Sequence, residues 1–70
     1  MKIRVTIYPG KTKKEIEITK QTTVYSILEK SGMHTGNVIF ILNGKILPLD
    51  AKINLNGNEN VEIHSAFSGG

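Results

Sequence analysis

Hydrophobic and polar residues alternate strictly from Lys2 to Tyr8, with Ile3, Val5 and Ile7 on one side and Lys2, Arg4, Thr6 and Tyr8 on the other. A period of two is the mark of a half-buried strand. Tyr8-Pro9-Gly10-Lys11 comes next, pairing a proline whose ring fixes φ with a glycine free to take the positive φ of a type II turn. A hairpin is therefore expected, with a return strand over about Lys13 to Thr19 that turns Ile16 and Ile18 inward and Glu15, Glu17 and Thr19 outward.

The period then lengthens. Val24, Ile27, Leu28 and Ser31 fall at i, i+3, i+4 and i+7, the stripe of an amphipathic helix, with Thr22 or Thr23 as its N-cap and Gly32 at the positive-φ position that ends it. A helix of about eight or nine residues is marginal alone in water, so it must be held by laying Val24, Ile27 and Leu28 on a sheet.

Asn37 to Leu42 reads N-V-I-F-I-L, apolar on both faces, and runs into Asn43-Gly44, a strong short hairpin signal, then Lys45-Ile46-Leu47 before Pro48 stops the ladder. One helix covers one sheet face only. The bulkier set, Val38, Phe40 and Leu42, is assigned to the core, leaving Ile39 and Ile41 as a surface pair that meets solvent or a partner unless a loop covers it. Leu49 to Leu55 is read as a connection anchored by Ile53 and Leu55, and Asn56-Gly57-Asn58 as a polar turn. A last strand over about Asn60 to Ala66 points Val61 and Ile63 inward and Glu62, His64 and Ala66 outward. Residues 1–66 thus form one domain and residues 67–70 a tail, which is expected to be mobile because Ser68-Gly69-Gly70 offers little to order it.

Composition narrows the function. Seventy residues suffice for one small domain and exclude a two-domain enzyme. At 39% hydrophobic and 21% charged the chain lacks the signature of disorder, and no apolar run approaches the length of a membrane span or a secretory signal. A cytoplasmic protein that engages no membrane is expected. The absence of cysteine removes disulfides, thiolate metal sites and cysteine nucleophiles. His34 and His64 lie far apart with no ligating companion at metal spacing, so no metal site is expected. None of Ser26, Ser31, Ser65 and Ser68 lies in a nucleophile motif, and there is no glycine-rich phosphate loop, so the chain does not read as an enzyme. Nine Lys plus Arg against six Asp plus Glu give a charge of +3, and Lys11, Lys13, Lys14 and Lys20 form a basic edge near the first hairpin. Single-strand nucleic-acid sites also need stacking platforms, and with Phe40 in the core and Tyr25 on the outer side of the helix no aromatic face emerges. Nucleic-acid binding is not expected.

The Gly69-Gly70 pair carries the remaining chemistry. A free carboxylate is a poor electrophile until adenylated, after which sulfur or an amine can attack it, and glycines let it enter a narrow active site. With the order of elements above, the segments Leu42-Asn43-Gly44-Lys45 through Pro48, Leu55 to Ile63, and Ala66-Phe67-Ser68-Gly69-Gly70 make the whole chain resemble the ubiquitin-like β-grasp family. It is most similar there to the small archaeal modifier proteins, close to the sulfur carriers of the thiamine and molybdopterin pathways. The resemblance implies an α+β fold with a four- to five-stranded mixed sheet and one helix packed on one face. It further implies a monomeric sulfur carrier or protein modifier that is not an enzyme and binds no cofactor.

By the same resemblance, an E1-like adenylyltransferase uses ATP to activate the Gly70 carboxylate, with Gly69 giving clearance. The acyl group then becomes a thiocarboxylate, or is joined to lysines of target proteins, so that sulfur donor or acceptor enzymes and those targets are the further partners. Ile41, His64 and Ala66 correspond to the exposed patch offered to partners, with Ile39 beside it. Phe67 is the anchor before the tail, and Lys45 stands where ubiquitin has a chain-forming lysine. Two departures are visible: Asn56-Gly57-Asn58 replaces an Asp-Gly-Asp, removing two negative charges, and Phe67 is larger than the usual small aliphatic residue. The rival readings are a basic nucleic-acid-binding module and a structural interaction module whose tail has no function.

Overall fold

The alternation in the first residues becomes β1 (Lys2–Tyr8), which buries Ile3 and Val5 and pairs antiparallel with β2 (Thr12–Glu17) in a register that sets Ile3 opposite Ile16. The computed structural model describes residues 1–33 and 37–65. The turn joining the two strands contains a cis Tyr8-Pro9 bond, and it takes positive φ at Lys11 (53°) as well as at Gly10 (98°), so it departs from the simple type II turn expected there. Strand β2 also stops at Glu17, short of Thr19, because Ile18 instead exchanges backbone bonds with the first residue: its N–H donates to the Met1 carbonyl, and the Met1 ammonium to its carbonyl, each at 2.8 Å.

Helix α1 (Val24–Lys30) follows the short strand β3 (Gln21–Thr23). Thr23 is the cap, its Oγ1 accepting the Ser26 N–H at 3.1 Å. The helix closes with Gly32 at φ 78°, where the Gly32 N–H donates to the Glu29 carbonyl at 3.1 Å and the Met33 N–H to the Leu28 carbonyl at 3.0 Å. That pair of bonds satisfies carbonyls a helix end otherwise leaves open. Buried Ser31 is satisfied too, its hydroxyl donating to the Ile27 carbonyl at 2.7 Å, and the Lys14 ammonium reaches the Ser31 carbonyl at 3.0 Å, a cation at the negative end of the helix.

Beyond the helix lie β4 (Val38–Leu42), β5 (Lys45–Leu47), β6 (Lys52–Asn54) and β7 (Val61–Ser65). Asn43 (φ 50°) and Gly44 (φ 81°) make the tight β4–β5 turn, whose left-handed pair of residues matches the twist of the strands it joins. The result is an α+β protein with one helix, among the described residues, and a mixed five-stranded sheet in the order β2-β1-β7-β4-β5, with β1 and β7 parallel at its centre. Val24, Ile27 and Leu28 of the helix join Ile3, Val5, Phe40, Val61 and Ile63 of the sheet in one core.

The segment read as a connection, Leu49 to Leu55, contains β6, which pairs antiparallel with β3 as a separate two-stranded ribbon. Its role is to fix the start of the helix: the Val24 and Tyr25 N–H groups donate to the Ala51 and Leu49 carbonyls at 3.1 and 3.0 Å. Ile53 and Leu55 are buried, as expected of anchors. No helix among the described residues is long and apolar enough to cross a membrane.

Candidate functional site: the open face of the sheet

Because α1 lies on one face, every second residue of the sheet points away from the core. The register brings these residues into rows across strands. Tyr8 of β1 stands beside His64 of β7, which stands beside Ile39 of β4; in the next row Thr6, Glu62, Ile41 and Ile46 of β5 are neighbours. Ile39 is 42% exposed and Ile46 68%, while Ile41 is half-buried between them. Three isoleucines thus form an apolar strip at the β4–β5 side of the face.

His64 is held in place from two sides. Its ring stacks on Tyr8 with centroids 4.5 Å apart and planes inclined by 13°, and its Nε2 lies 2.9 Å from Glu62 Oε1. The stack covers one face of the imidazole and the carboxylate fixes its rotation, so His64 borders the isoleucine strip in a defined orientation. On the far side of the face, the β1–β2 register sets Lys2 against Glu17, Arg4 against Glu15 and Thr6 against Lys13. Positive charges on β1 face negative charges on β2 there. A polar depression lined by Lys2, Arg4, Lys13, Glu15 and Glu59 is likewise of mixed sign.

Of the residues singled out in the sequence, the fold brings Ile39, Ile41 and His64 together. Ala66, Phe67, Gly69 and Gly70 lie outside the described residues, as does His34. Lys45 is exposed at the first position of β5, beyond the Asn43-Gly44 turn and opposite Leu42. Tyr8 reads in the sequence as outward-facing, but its place beside His64 was not foreseen, and Ile46 was not singled out for the face. Ile46 was legible, since the Asn43-Gly44 turn fixes the register that sets it opposite Ile41; the Tyr8–His64 contact depends on a parallel pairing between the two ends of the chain, which no local pattern announces. Among the described residues no cluster of His, Asp and Glu is placed to hold a metal ion. No protein-family model matches the chain, and no curated protein matches it.

Proposed function

We propose that this protein is a ubiquitin-like β-grasp carrier, not an enzyme, whose Gly70 carboxylate is adenylated by an E1-like enzyme and then either converted to a thiocarboxylate or joined to target lysines. The observation that supports it most is the sheet order β2-β1-β7-β4-β5, with a central parallel pair and a helix on one face, which is compatible with that fold. A second feature agrees with it. Ile39, Ile41 and His64 lie around β7, the strand that ends at Ser65, five residues before Gly70 in the sequence. A partner seated on this face is within reach of the acyl group it must process, since five extended residues span about 17 Å. The pairing of Lys2 and Arg4 with Glu17 and Glu15 across β1 and β2 speaks against a phosphate-tracking surface, which needs an excess of positive charge.

In this reading the carrier is a cytoplasmic monomer that binds no cofactor, and ATP is consumed by its activating enzyme. Both branches begin at the same adenylate, so they are separated by their products. Intact-mass measurement of the protein from its own cells should show exchange of oxygen for sulfur at the terminal carboxylate if it is a sulfur carrier. Ser-Gly-Gly remnants on lysines of other proteins, left by chymotryptic cleavage after Phe67, mark a modifier. Neither product, with the activating enzyme present, overturns the proposal. In self-conjugates Lys45 is expected among the labelled lysines ahead of Lys14 and Lys30, whose amines are engaged by the Ser31 and Glu17 carbonyls at 3.0 and 3.2 Å. Remnant mapping that finds Lys14 or Lys30 labelled and Lys45 bare contradicts this order.

A further inference from the structure

Two Asn-Gly pairs, Asn43-Gly44 and Asn56-Gly57, carry the same latent chemistry. The glycine nitrogen can attack the carbonyl carbon of the asparagine side chain, and the missing Cβ leaves that approach open. The fold treats the two pairs differently. Asn43 is clamped to the chain entering β7: its Oδ1 accepts the Asn60 N–H and its own N–H donates to the Asn60 carbonyl, both at 2.8 Å. No carboxylate, among the described residues, accepts the Gly44 N–H.

At the second pair the neighbours converge on the reacting atoms. The Asn58 N–H donates to Asn56 Oδ1 at 2.9 Å, folding the side chain over the peptide that follows it. The Gly57 N–H donates to Glu59 Oε1 at 2.9 Å, and the other carboxylate oxygen is steadied by the Asn56 N–H at 2.8 Å. The electrophilic carbonyl therefore already has a hydrogen-bond donor on its oxygen, and the nucleophilic nitrogen already has a base on its proton. These are the two aids that acyl transfer requires, placed within four consecutive residues.

We propose that the Asn56–Glu59 turn is a self-modification site, at which Asn56 cyclises with Gly57 and opens to aspartyl and isoaspartyl products, with Glu59 as the base and the Asn58 N–H as the oxyanion donor. Gly57 N bonds to Asn56 Cγ as Glu59 takes the nitrogen's proton. The bond from Cγ to the side-chain nitrogen then breaks, and that nitrogen leaves as ammonia with the proton returned by Glu59. Water opens the resulting succinimide at either carbonyl. Each product adds a carboxylate next to Glu59, so like charges meet where backbone N–H groups had gathered one, and the turn leading into β7 loosens. The reaction needs neither the tail nor any activating enzyme.

The test is the rate of ammonia loss at each pair, followed by peptide mapping during incubation of the folded protein at neutral pH. Asn56 should react about tenfold faster than Asn43, general-base assistance being worth at least that much. Glu59→Gln, which keeps an acceptor for the Gly57 N–H but removes the base, should slow Asn56 about tenfold and leave Asn43 unchanged. In denaturant the two sites of the wild-type chain should converge. Equal rates in the folded protein, a faster Asn43, or a Glu59→Gln variant that reacts as fast as wild type overturns the proposal.

Discussion

Phe40 and its neighbours on β4 show how one residue's step changes its environment. Phe40 is 2% exposed and packs in the core, whereas Ile39 is 42% exposed on the other face. Removing the Phe40 ring leaves a cavity in the core beside its register partner Ile63, so Phe40→Ala should cost about 3 to 5 kcal/mol, a large part of what so small a domain has to lose. Half-buried Ile41 borders solvent, and Ile41→Ala should cost far less while weakening association with the activating enzyme. Denaturant unfolding of the two variants, with a binding measurement on the second, checks the pair; equal destabilisation contradicts the assigned faces.

Two carboxylates tie stability to pH. Glu17 is held below the ordinary value of 4.5 by its hydrogen bond to the Met1 ammonium at 2.8 Å and by that ammonium's charge. Desolvation pushes Glu59 upward, but the N–H groups of Asn56, Glu59, Gly57 and Asn58 together outweigh it and hold Glu59 below 4.5 as well. A depressed carboxylate contributes stability that is full above its unfolded value and is lost as pH falls through its folded one. The protein should therefore lose stability as the pH drops below about 4.5, and Glu59→Gln should lose less than wild type over that range. Parallel acid titrations of the two proteins contradict this if their declines coincide.

Elements were legible where a period or a turn spoke clearly. The Lys2–Tyr8 alternation, the Val24-Ile27-Leu28-Ser31 stripe and Asn43-Gly44 each appear where the pattern places them. The β3–β6 ribbon was not legible, because Gln21-Thr22-Thr23 and Lys52-Ile53-Asn54 are too short to show a period and their pairing is imposed by the fold around them. Lys11 at φ 53° carries no signal either, since lysine is not a residue that favours a left-handed turn. The helix, only seven residues long, depends on its ends. Thr23→Ala should cost about 1 kcal/mol through the lost bond to Ser26. Gly32→Ala should cost about 1 to 2 kcal/mol from the backbone alone, because a Cβ there meets nothing closer than Lys14 Nζ at 3.7 Å. Thermal unfolding of both variants measures these costs; an unchanged Gly32→Ala contradicts the helix-end geometry.

For the whole molecule, a one-sided sheet is the source of the functional reading: α1 covers one face, and the other presents Ile39, Ile41 and Ile46 beside a His64 fixed by Tyr8 and Glu62. The strand carrying His64 leads in sequence toward Gly70, so the proposed docking surface and the proposed reacting group belong to one continuous stretch of chain. What the sequence alone left open was how residues at opposite ends of the chain share that face, because the parallel β1–β7 pairing joins them only in three dimensions. ATP–pyrophosphate exchange with the proposed activating enzyme, run on the full chain and on a chain lacking Gly69 and Gly70, tests the proposed acyl-carrier role most directly. Exchange by the full chain and none by the truncated one, at equal thermal stability, is the predicted result. Undiminished exchange by a truncated protein that is equally stable would contradict the account.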